Sequence, residues 1–205
     1  MSFQKSALLF QAQGKEYILS NIQRQAVRSA VPEIKMASFH NLTYTILAHY
    51  GNVKIVSIVR HQCGVIHSWL NMPGEFPEAA EQSVEWRAEL QKNWPEEFRG
   101  FDDWMKVTRT HMEFEEKYPE RFKILRYEDL ASDLHEKAER LFVFLALPLG
   151  RQTQQFLGKS QASHRGNSYA VFKHPAVKGR WCDSLNEAGR EDIVNKASKT
   201  GCEGF

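Results

Sequence analysis

Arg60 directly follows the run VKIVSIV, residues 53–59, and Ser68 stands eight residues further on. A guanidinium offers a planar fork of donors and a hydroxyl adds one more, a set suited to a phosphate. Ligands of open α/β sheets bind where strands end, so an Arg at such a place has a use beyond solvation. The same spacing also fits an exposed Arg and a helix-surface Ser, and spacing alone does not choose. Glu128 and Asp129 are adjacent carboxylates after a second strand-like run, where such residues commonly begin and cap a turn. His40, His61 and His67 lie near the Arg60 segment, but a lone His is more often a packing or surface residue than a base. Cys63, Cys182 and Cys202 leave room for one disulfide and form neither a CxxC pair nor a zinc-spaced cluster.

The elements that must hold these residues are read from periodicity. Val53–Val59 is β-branched on both parities, which predicts a strand covered on both faces, as in a parallel sheet between helices. Phe122–Arg126, FKILR, and Glu33–Ala37, EIKMA, are further strand candidates for the same sheet. Helices are expected over about 18–30, 41–50, 64–70, 78–94, 101–116, 133–146 and 186–199. Gly51 is suited to a left-handed cap after the second of these. In 101–116 the residues Phe101, Trp104, Met105, Thr108 and Met112 recur at steps of three and four and share one face. Asp133 and Glu136 have capping-box spacing before the stripe Leu134, Ala138, Leu141, Phe142 and Leu145, and Pro148 ends that helix. From Gly150 regularity fades, and Ser160–Lys178 is a polar stretch of the kind that forms functional loops.

A chain of 205 residues is enough for one domain and too short for two ordinary enzyme domains. With 27 Lys and Arg against 25 Asp and Glu the formal charge is +2, so nothing demands nucleic acid or an anionic membrane as partner. Any anion site must be local. Apolar runs stay far short of the roughly 20 residues that cross a bilayer, and the start MSFQKSALLFQAQGKEY lacks a signal-peptide core and cleavage site. As written, the chain reads as soluble.

Segment 53–70, VKIVSIVRHQCGVIHSWL, resembles the 3′-phosphate-binding segment of sulfotransferases that use 3′-phosphoadenylyl sulfate (PAPS). There a strand ends in Val-Arg and a Ser follows eight residues later. Segment 118–149 is similar to the same family's strand, Arg-Tyr-Glu-Asp-Leu turn and helix ending in Leu-Pro. Tyr169 through Lys173 to Trp181 is similar to a late loop of the carbohydrate-type branch. The three occur in the family's order and span residues 31–205. The resemblance implies that Arg60 and Ser68 donate to the 3′-phosphate, that Tyr127 meets the nucleotide by ring or hydroxyl, and that Lys173 closes over the phosphate. It also implies that Lys35 stabilises charge on the transferring group. Lys35-Met36-Ala37 stands where the cytosolic branch reads Lys-Thr-His with a catalytic base, which points to the carbohydrate branch.

The departures matter too. Arg60 continues as His61-Gln62-Cys63, not Asp-Pro-Arg. The family's N-terminal strand, Gly/Ser/Thr-rich loop and helix, which cradle the 5′-phosphosulfate, have no counterpart here, since Gly14-Lys15 lacks both the strand before it and the Ser or Thr after it. The expected fold is a three-layer α/β/α domain over 1–205 with a parallel central sheet. It is the P-loop-NTPase-like sulfotransferase fold, N-terminally incomplete. The expected function is sulfuryl transfer from PAPS to a carbohydrate hydroxyl, without a metal; the Golgi lumen is the location the branch implies. The alternative is an impaired or fragmentary relative that binds nucleotide or a protein partner without turnover. A P-loop kinase would require GxxxxGK[ST], which the chain lacks. Neither the acceptor sugar nor the oligomeric state is legible.

Overall fold

The computed structural model describes residues 40–71, 100–162, 185 and 187–202. The chain divides into two compact units, Met1–Val53 and Lys54–Phe205. In the first, helix α1 spans His40–His49 and buries Thr43, Ile46 and Leu47, which one-turn spacing places on one face. Gly51 follows in a turn but does not take the left-handed conformation expected of it. The amide of Tyr50 instead extends the helical pattern to Ile46 O at 3.0 Å, and Val53 N turns back to Tyr50 O at 3.4 Å. The strand expected from Val53 begins at Ile55.

The second unit holds β1 (Ile55–Val59), α2 (Gln62–Leu70), α3 (Gly100–Lys117), β2 (Phe122–Arg126), α4 (Tyr127–Ser132), α5 (Leu134–Leu145), α6 (Arg151–Ala162) and α7 (Glu187–Lys199). β1 and β2 pair in parallel, with Ile55 opposite Phe122 and Val59 opposite Arg126. The fold is α/β with a parallel sheet, as the alternation of elements implies. Ser57 accepts or donates a hydrogen bond with His111 Nδ1 at 2.8 Å, and His111 and Phe114 set their rings 5.4 and 5.6 Å from Phe122. These contacts bind α3 to the strands. Glu115 adds to them by accepting from the Ile124 amide at 2.9 Å while pairing with Lys123 at 3.0 Å.

Coverage of both faces of β1 fails at Ile58, which is 61% exposed. Its partner across the pair is the half-buried Leu125, and exposed Lys123 lies two residues back on the same face. The face is therefore mixed in polarity among the described residues. The Tyr-Glu-Asp-Leu segment, expected as a turn, is the short helix α4, closed by Ser132 Oγ donating to the carbonyls of Glu128 and Asp129. Helix α6 occupies a span in which fading regularity was expected. The proposed strand 33–37 and the helices over 18–30 and 78–94 fall outside the described residues.

A helical core lies within this unit. Cys63, Ile66, Trp69 and Leu70 of α2 cluster with Phe101 of α3, Ile193 and Ala197 of α7, and Cys202, while Trp104, Met105, Met112 and Leu185 pack against them. Cys63 and Cys202 are both fully buried in this cluster. Burial pushes the Cys202 thiol above its ordinary range, so it stays a neutral, inert packing group. At the start of α5 Asp133 accepts from Glu136 N at 3.2 Å, the first half of the expected capping box. The helix stops at Ala146, two residues before Pro148. Ala146 has φ 56°, with its amide bonded to Val143 O and the Leu147 amide to Phe142 O, the paired bonds of a Schellman motif.

Candidate anion site at the strand ends

The strand register decides which residues meet. Because Val59 lies opposite Arg126, the next residues along each strand, Arg60 and Tyr127, emerge side by side at the carboxyl end of the pair. The Arg60 guanidinium sits over the Tyr127 ring at 5.3 Å from its centroid, a cation–π contact that fixes the plane of the fork. From the other side Trp104 Nε1 donates to Arg60 O at 3.1 Å and stacks on Phe101 at 5.9 Å. The backbone of the site is thereby anchored to the helical core.

Helix α2 opens immediately after Arg60. His61 caps it, its Nδ1 accepting from Cys63 N at 3.2 Å, and its own amide donates to Glu128 Oε1 at 3.0 Å. The Glu128 carboxylate thus ties the two strand ends together. This agrees with a structural reading of the Glu128-Asp129 pair, although the tie crosses between strands instead of capping a local turn. An Nδ1 that accepts leaves the proton of the neutral ring on Nε2. In that state the outward nitrogen is a donor and not a base. Burial lowers the His61 pKa; Glu128 pulls it back up, and Arg126 and Arg60 push it down. His67 is lowered for the same first reason, with Arg60 adding to it.

Two buried donors at this end lack acceptors among the described residues: Nε of Arg60 and Nε of Arg126. The buried Oε2 of Glu128 and Oε1 of Gln62 are also unpaired there. A buried donor without a partner costs about 1–3 kcal/mol, so the site is built at a cost that an incoming oxyanion would offset. Of the residues singled out from sequence, Arg60 and Tyr127 are brought into contact. Ser68 lies exposed on α2, beside His67, which feels the Arg60 charge. Lys35 and Lys173 lie outside the described residues. Arg126 and His61 were not foreseen as site residues. Arg126 closes FKILR at the same strand-end position that drew attention to Arg60, and that rule would have found it.

A family model described as Sulfotransferase family matches residues 2–151. The chain belongs to the sulfotransferase family. That match contains both strand-end segments, 53–70 and 118–149, and it extends through the first thirty residues, which the segment resemblance had left aside. The late stretch from Tyr169 to Trp181 lies beyond it. Neither the curated proteins nor the solved structures searched gave a match. Among the described residues no group of His, Cys, Asp and Glu has the arrangement to hold a metal ion, and no helix is long and apolar enough to cross a membrane.

Proposed function

We propose that this chain transfers a sulfuryl group from PAPS to a hydroxyl of a carbohydrate acceptor, and that Arg60 and Tyr127 belong to its nucleotide site. The observation that carries the reading is the buried Arg60 Nε, without an acceptor among the described residues, at the carboxyl end of a parallel strand pair, with its fork held over the Tyr127 ring. A nucleotide bearing a 3′-phosphate supplies what that end lacks, an oxyanion to accept from Arg60. Ser68 adds a hydroxyl from α2 and Lys173 a cation from the late stretch. Lys35 stabilises the charge that develops on the sulfuryl oxygens during in-line attack, where a fixed cation acts most strongly. The glycan acceptor and the Golgi lumen as its location rest on the sequence pattern of the late stretch and on Lys35-Met36-Ala37 in place of Lys-Thr-His.

The test is calorimetric. Arg60→Ala should weaken binding of adenosine 3′,5′-bisphosphate, the desulfated product, by about 2–3 kcal/mol, the range for a lost hydrogen bond to a charged group. Binding of adenosine 5′-phosphosulfate, which lacks the 3′-phosphate, should change much less. Equal losses for the two ligands would show that Arg60 does not read the 3′-phosphate.

A further inference from the structure

Charge arithmetic at the strand ends leaves a problem that Arg60 alone does not solve. The Glu128 carboxylate accepts from the amide next to Arg60, so Arg60 and Glu128 together carry no net charge. A phosphate monoester brings roughly −1.5 to −2 at neutral pH. The cation that Lys173 brings in the reading above still leaves the sum short of the phosphate's charge. Arg126 changes the balance. It is the last residue of β2, opposite Val59 and so at the same carboxyl end of the pair as Arg60. Its Nε is buried and without an acceptor among the described residues. The His61 amide donates to Glu128 across the two strand ends, and the charges of both Arg126 and Arg60 lower the pKa of that imidazole.

We propose that Arg126 is a second guanidinium of the 3′-phosphate subsite, adding a positive charge to the strand-end site and a second donor fork beside that of Arg60. The inference rests on the nucleotide-site reading above. Its chemistry is distinct from that of Arg60: Tyr127 stacks on Arg60 and orients it, whereas Arg126 is positioned by the strand ladder itself. Neutral His61, with its proton on Nε2, suits this neighbourhood because it adds no third positive charge to two guanidinium groups.

Three variants and two probes separate the outcomes. Adenosine 3′,5′-bisphosphate and adenosine 5′-phosphosulfate are titrated into wild type, Arg60→Ala, Arg126→Ala and Arg126→Lys, with a thermal melt of each variant. Arg126→Ala should weaken the bisphosphate by about 10- to 100-fold and leave the phosphosulfate within about threefold. Equal loss for both probes, or none for either, overturns the role of Arg126. If Arg60→Ala discriminates between the probes and Arg126→Ala does not, this inference fails while the function reading stands. If neither discriminates, the site reading fails with it. Should Arg126→Ala not fold, Arg126→Lys decides: it keeps the charge but has no Nε fork, so a loss of about 3- to 10-fold confined to the bisphosphate is expected. Wild-type affinity, or a loss shared by both probes, overturns the proposal.

Discussion

Helix α2 serves two regions of opposite character. Its body, Cys63, Ile66, Trp69 and Leu70, is buried in the helical cluster with Phe101, Ile193 and Ala197, where apolar surface meets apolar surface. Its first residues face the strand ends, where two Arg Nε atoms, a Gln oxygen and a carboxylate oxygen are buried without partners among the described residues. Stability comes from the first region, and the second spends part of it. Native proteins pair nearly all their buried polar groups, so a concentration of unpaired ones at a strand end marks a place shaped for something other than stability. Trp104 spans the divide, stacked on Phe101 and bonded to the Arg60 carbonyl.

The sharpest way to break this contrast is to empty the core. Phe101 is fully buried, and Phe101→Ala removes a ring from a packed helix junction. A loss of about 3–5 kcal/mol is expected, the range for large aromatic truncations in cores. Urea denaturation of the two proteins measures it. A loss under about 1 kcal/mol would mean that the cluster relaxes around the gap and is not the well-packed half of the comparison. Arg60→Ala should behave in the opposite sense, weakening nucleotide binding while leaving urea stability nearly intact, because it deletes a buried donor that has no acceptor among the described residues.

The two regions should also part company in pH. His61 in the folded chain has its pKa depressed, first by burial, with Glu128 opposing and Arg126 and Arg60 reinforcing the shift. The unfolded chain therefore binds more protons in the window below about 6.5, the ordinary imidazole value. Stability rises with pH through that window and falls as pH drops from there toward the folded-state value. Protonation would also take away the lone pair that accepts from Cys63 N. His61→Asn keeps a capping acceptor and removes the titration, so its urea midpoint should depend less on pH between about 7 and 5.5 than that of wild type. Identical pH profiles would remove His61 from the account. In Arg126→Ala, proton NMR should show the His61 pKa moved upward, since one of the charges that depresses it is gone.

How much of this the sequence disclosed depends on where the controlling contacts lie. β2 and α3 were legible nearly to the residue because an apolar run bounded by turns and a stripe at helical spacing are local signals. The Asp133 cap was legible for the same reason. α6 was missed because Arg151–Ala162 has only Phe156, Leu157 and the final Ala as apolar residues. Leu157 is its one buried apolar side chain among those described, so there is no stripe to read. At the site, Arg60 and Tyr127 could each be found from their own segments, but not their contact. That the Arg60 guanidinium lies over the Tyr127 ring follows from the pairing of two distant segments in one register, and no local pattern contains that information.

Not every local cost in the molecule belongs to a ligand site, and Ala146 supplies the control. It lies in neither region and holds the left-handed conformation, φ 56°, that closes α5. For a residue with a Cβ this conformation costs about 1–2 kcal/mol, and glycine is the usual occupant of that position in the motif. Ala146→Gly relieves the steric cost and preserves both closing bonds, Ala146 N to Val143 O and Leu147 N to Phe142 O. Part of the gain is offset because glycine is freer in the unfolded chain, which costs about 0.4–1 kcal/mol. The net expectation is a stabilisation of about 0.5–1 kcal/mol, or roughly 1–4 °C in Tm for a domain of this size. Affinity for adenosine 3′,5′-bisphosphate should stay at the wild-type level. The strain at Ala146 can thus be removed by substitution alone, while the Arg60 and Arg126 Nε donors, without acceptors among the described residues, would be satisfied by the proposed anion. A Tm that falls in Ala146→Gly, or an affinity that changes with it, would mean that the end of α5 is coupled to the strand-end site and that the two kinds of cost are not separable.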